Sequence, residues 1–135
     1  MKKTVLRAYA RLIVRCGVNV QKGQEVVVYA DLDQPEFVRM VVEEAYKAKA
    51  KKVTVEWSYQ PLSKIHTRYH SVTTMGTVEE WEKAKFQHEV DVLPCRIHLE
   101  SSDPDGLKGI NMEKVTKARR MSYPIIKPYR DQLEN

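Results

Sequence analysis

Two β-branched runs, Glu25-Val26-Val27-Val28-Tyr29-Ala30 and Lys52-Val53-Thr54-Val55-Glu56-Trp57, flank a single amphipathic helical segment, and this spacing constrains the fold more than any other feature. The first run is too uniformly apolar for a half-exposed strand and predicts one covered on both faces. Between the runs, Asp33 as N-cap, Glu36 three residues on and Pro35 in a first turn predict a helix start. Its apolar face is Phe37, Val38, Val41, Val42, Ala45 and Tyr46. Strand, helix and strand at this distance make a right-handed βαβ unit with parallel strands.

The flanking segments extend this unit. From Lys3 to Cys16, Val5, Leu6, Tyr9, Leu12, Ile13 and Cys16 fall on one helical face, with Arg7, Arg11 and Arg15 opposite and Gly17 as the stop. Leu62 to Tyr69 and Val78 to His88 read as helices around a polar stretch at 71–76. Asp91 to Leu99 reads as a strand whose start Pro94 confines to an edge or bulge. Met112 to Met121 is a helix, and Ile125 to Leu133 another, offset by Pro124 and Pro128. The expected architecture is a three-layer α/β/α domain with a short, mainly parallel sheet, residues 1–135 forming one domain.

Composition narrows the function. The 135 residues carry 23 Lys and Arg against 18 Asp and Glu, a formal charge of +5, and no apolar run approaches membrane-spanning length. Arg7 and Arg11 follow Lys2 and Lys3 at once, so no secretory h-region is expected after the start, and Cys16 and Cys95 form neither a CxxC pair nor a disulfide framework. A cytoplasmic location is expected. The charge is uneven: +5 over residues 1–30, −4 over 31–107, +6 over 108–130 and −2 in the tail. Basic ends admit a nucleic-acid-binding module, but Lys and Arg at helical spacing more often mark solvated faces, and no recognised module accompanies them.

Ligands of open α/β sheets bind beyond the carboxyl ends of the strands. Those ends carry Asp31 and Asp33, then Trp57, Ser58 and Tyr59, then Ser101, Ser102 and Asp103. These residues form a candidate pocket rim or interface edge, or else loop residues that cap helices and satisfy backbone. Asp31-Leu32-Asp33 at a strand end also resembles the first motif of haloacid-dehalogenase-like phosphatases, with Ser58 matching a second, although Pro35 and the preceding helix depart from that pattern. His66 and His70 stand one turn apart without the Glu of a zincin motif, and Arg68 would repel a cation. For His88 and His98 the sequence alone makes no partner visible, and both cysteines are expected to be buried.

Longer segments carry a second resemblance. Leu6 to Val14, Gly17 to Gln24, Glu43 to Ala48 through Val53 to Ser58, Ser101 to Gly109, and Lys117 to Arg130 occur in an ordered series over nearly the whole chain. This series resembles the amino-terminal domain of the thermophilic-metalloprotease family of aminopeptidases, the aminopeptidase S, aminopeptidase T and PepS group. Lys49 departs from it, standing where the family commonly ends a helix with glycine. The resemblance implies a two-domain metal-dependent aminopeptidase that releases amino-terminal residues from peptides. Its two divalent ions (zinc, cobalt or manganese) are expected in a second, catalytic domain absent from these residues. The chain itself would hold no catalytic or metal site and would be inactive alone. It would supply packing, substrate access or dimer contacts through the strand-end edge.

Overall fold

The computed structural model describes residues 2–100, 106 and 108–134. It is α/β, with a three-stranded parallel sheet and helices elsewhere. Internal contacts divide the chain into two compact units, Met1–Tyr59 with Pro94–Ser101, and Gln60–Leu93 with Ser102–Asn135.

The first unit contains α1 (Lys3–Leu12), a π-helical turn (Ile13–Gly17), β1 (Glu25–Asp31), α2 (Pro35–Lys47), β2 (Lys52–Ser58) and β3 (Cys95–Leu99). The strand order is β2-β1-β3, and β1 lies parallel to both neighbours, Asp31 opposite Ser58 and Ala30 opposite Leu99. The βαβ unit read from the two apolar runs is therefore present. Burial along β1 alternates, however. Val26, Val28 and Ala30 enter the core with Cys95 and Ile97, beneath Ala10, Val14, Val38, Val41 and Ala45. Val27 and Tyr29, on the other face, are only half-buried, so the expectation of a strand equally covered on both faces is corrected.

Helix α1 is rotated from its predicted face. Ala10 and Val14 are buried with Leu6 and Ile13 beside them, whereas Val5, Tyr9 and Leu12 are 42%, 50% and 56% exposed and Cys16 is also exposed. The cause is α2, which packs against α1 and places Glu44, 1% exposed, between Arg7, Arg11 and Lys47 at 4.0, 3.7 and 3.8 Å. Arg7 also meets Glu43 at 3.1 Å. Small Ala10 permits this approach, and of the three arginines on the polar face Arg7 and Arg11 reach the α2 carboxylates while Arg15 stays exposed. Beyond the π-helical turn, Asn19 at φ 50° redirects the chain.

At the start of α2 the N-cap is Gln34, without a side-chain cap, rather than Asp33; Pro35 takes the first turn as expected. Glu36 forms no capping box and instead pairs with Arg39. The far end closes with Lys49 N–H donating to the Tyr46 carbonyl at 2.9 Å and Ala50 N–H to that of Ala45 at 3.1 Å, with Lys49 at φ 73°. This is the left-handed closure normally made with glycine. Tyr46 projects outward, and its hydroxyl accepts the Val53 N–H of edge strand β2 at 3.1 Å.

The second unit contains α3 (Pro61–Tyr69), α4 (Val72–Gly76), α5 (Glu80–Val92) and α6 (Met112–Glu134), with α4 and α5 packed on α6. Three expectations change here. The polar stretch at 71–76 is a helical turn, because Ser71 Oγ accepts the Thr74 N–H at 3.1 Å and caps it. Asp91 and Val92 complete α5, which ends at Leu93 with φ 46°, so β3 starts after Pro94. The two closing helices are one, running through Pro124 and Pro128.

Candidate functional site

The carboxyl end of the sheet gathers part of the predicted edge. Asp31 and Ser58 terminate neighbouring strands, and the Ser58 hydroxyl donates to Asp31 Oδ1 at 2.6 Å while the Leu32 N–H donates to the Ser58 carbonyl at 3.2 Å. These bonds tie β1 to β2 and give Ser58 a structural part as well as a place on the edge. Asp33 is exposed just beyond, and Trp57 and Tyr59 are 46% and 51% exposed. Ser101, Ser102 and Asp103 lie outside the described residues.

With strand order β2-β1-β3, α2 carries the chain from the central strand to one side while β3 lies on the other. The crevice between β1 and β3 is thus the topological switch point, bordered by Asp31 to Asp33 and by Leu99 and Glu100. Beside it, on the sheet face opposite the core, the rings of Tyr29 and His98 stack with centroids 4.8 Å apart and an interplanar angle of 11°. His98 Nδ1 also lies 3.4 Å from Glu100 Oε1. His98 is therefore not partnerless, as sequence reasoning had it. Its two-residue offset from Glu100 puts both on one strand face, a signal available in sequence, whereas Tyr29 needs the β1–β3 register to be found.

An imidazole beside a carboxylate can hold and pass a proton, but a two-ion hydrolytic centre requires several such ligands converging. Among the described residues no group of three or more His, Cys, Asp and Glu side chains is placed to hold a metal ion. His66 and His70 stack with centroids 5.2 Å apart and an interplanar angle of 22°, ring face towards ring face. Cys95 is buried, which pushes its thiol pKa up, with Sγ 3.6 Å from the Val18 carbonyl oxygen; Cys16 is exposed, contrary to expectation. Among the described residues no helix is long and apolar enough to cross a membrane.

Known proteins supply the remaining observation. The chain is 35% identical over 130 residues to aminopeptidase AmpS of Bacillus subtilis (strain 168), a match covering 96% of this chain and 32% of that protein. It is 29% identical over 126 residues to aminopeptidase PepS of Streptococcus thermophilus, covering 93% and 30% respectively. The solved structure of wild-type AmpT from Thermus thermophilus superposes with a TM-score of 0.81 at 28% identity, over 97% of this chain and 33% of that one. The chain thus spans about a third of the length of these relatives. The family model described as thermophilic metalloprotease (M29) matches residues 2–135, and the chain belongs to that family.

Proposed function

We propose that these residues form the amino-terminal portion of a metal-dependent aminopeptidase that removes amino-terminal residues from peptides. The observation that carries this reading is coverage: nearly all of this chain, 96%, aligns with only 32% of a relative named as an aminopeptidase, so most of that relative has no counterpart here. Zinc, cobalt or manganese would be held by side chains in the remaining portion.

In this reading the chain packs against the catalytic portion, shapes substrate access or joins subunits into a homodimer, and works in the cytoplasm. The strand-end edge is the proposed contact, because Trp57 and Tyr59 present aromatic surface beside the polar groups of Asp31, Asp33 and Ser58. The test is hydrolysis of aminoacyl anilides by this chain with cobalt, zinc or manganese supplied. The expected result is release no faster than with the ion alone. Metal-dependent turnover by the 135 residues would place catalysis within them and defeat the reading.

A further inference from the structure

Two of the clefts formed by the described residues are lined by cations without an acidic side chain among them, and they differ in how those cations are neutralised. The first, of about 340 Å³, is bordered by Lys3, Arg7, Arg11 and Arg39. Its arginines are answered from α2: Arg7 by Glu43, Arg11 by Glu44 and Arg39 by Glu36. That cleft is the surface of an internal ion network.

The second, of about 430 Å³, lies between α3 and the turn leading into α6, and its lining includes Lys64, Arg68, Lys108, Gly109, Asn111 and Lys114. Lys114 Nζ donates to the Thr67 carbonyl at 2.5 Å, which neutralises the electronegative last turn of α3. Glu113, the acidic residue nearest in sequence, is taken by Lys117 at 3.2 Å. Among the described residues, Lys64, Arg68 and Lys108 have no acidic partner, and no acidic side chain lines the cleft. Three like charges around one hollow repel one another unless something negative enters it. Two backbone features favour such an entrant. Asn111 caps α6, its Oδ1 accepting the Lys114 N–H at 3.2 Å, so the positive end of a 23-residue helix borders the cleft. Gly109, at φ 85°, has nothing within 4 Å of where a Cβ would stand, so a ligand can approach the bare backbone.

We propose that this cleft binds a small oxyanion, a phosphate or a carboxylate, held chiefly by Lys64, Arg68 and Lys108. The proposal does not depend on the peptidase reading, and neither fails with the other. It is tested on the full chain, labelled with nitrogen-15, by titration with inorganic phosphate and separately with glycylglycine and its carboxy-terminal amide. Saturable shifts of the Gly109, Asn111 and Lys114 amides are expected with phosphate or with the free dipeptide, and whichever binds more tightly identifies the source of the oxyanion. The dipeptide amide should lose any binding that the free carboxylate has. Lys64→Gln and Arg68→Gln should each weaken binding about fivefold, the scale of one partly solvated charge contact, whereas Lys3→Gln in the other cleft should leave it unchanged. No saturable shift with either anion would overturn the proposal, as would saturation indifferent to both cleft substitutions. Affinity that climbs with the length of an added oligonucleotide would also overturn it, because an extended polyanion surface is then present instead.

Discussion

Lys49 ends α2 at φ 73° and Leu93 ends α5 at φ 46°, and at both the Cβ crowds the backbone where glycine would not. The closing hydrogen bonds at Lys49 show that the left-handed conformation is kept despite the side chain. Lys49 is exposed, so replacing it removes strain without opening a cavity. Part of the gain is returned, because glycine also loosens the unfolded chain. Lys49→Gly should therefore stabilise the first unit by about 0.5–1 kcal/mol, read as a higher urea midpoint at unchanged slope. A lower midpoint would mean that the Lys49 side chain holds more than it strains. The departure from glycine was visible in the sequence alone; its conformational consequence required the fold.

Among the elements, β1, α2 and β2 were legible because two strands and the helix between them must share one layer arrangement, whatever their details. The rotation of α1 was not, since its apolar residues wrap more than one face and the choice fell to Ala10 and to Glu44 on a neighbouring helix. The joining of the closing helices was equally hidden: prolines normally interrupt a helix, yet α6 continues through Pro124 and Pro128 along the surface that packs α4 and α5. At the site, the polar strand-end residues could be named from strand boundaries, whereas the Tyr29–His98 stack and the cationic cleft depend on contacts between distant segments. The α4–α6 contact gives a prediction at this scale. A Cβ at Gly76 would stand 2.8 Å from Met121 Cβ and 2.9 Å from the Ala118 carbonyl oxygen. Gly76→Ala should therefore destabilise the second unit by about 1–3 kcal/mol, followed by Trp81 fluorescence in a Trp57→Phe background. Met121→Ala should rescue it only in part, because it removes the Met121 Sδ that would stand 2.9 Å away but leaves the Met121 Cβ and the Ala118 carbonyl oxygen in place; full rescue would show that the backbone contact relaxes.

For the whole molecule, a formal charge of +5 means that acid adds repulsion to an already positive chain, and the ion network between α1 and α2 sets where that begins to matter. Glu36 is held below its ordinary pKa of 4.5 chiefly by its hydrogen bond from Arg39, and Glu43 chiefly by the charge of Arg7. A carboxyl whose folded pKa lies below its unfolded one contributes stability above the unfolded value, and the contribution vanishes as pH falls through the folded value. Stability should thus hold from neutrality down to about pH 4.5 and decline below it. Replacing both carboxyls, Glu36→Gln with Glu43→Gln, should lower the urea midpoint at pH 7. The gap to the parent should close as the pH approaches 3, because the parent has by then lost the same charges. Trp57 reports the unit that contains the network, so the measurement belongs in a Trp81→Phe background. Added salt should narrow the gap at pH 7, since these pairs are solvent-facing and screened. Curves that stay parallel from pH 7 to pH 3 would instead show that the two carboxylates contribute nothing through their charge, and that the acid limb arises from general repulsion alone.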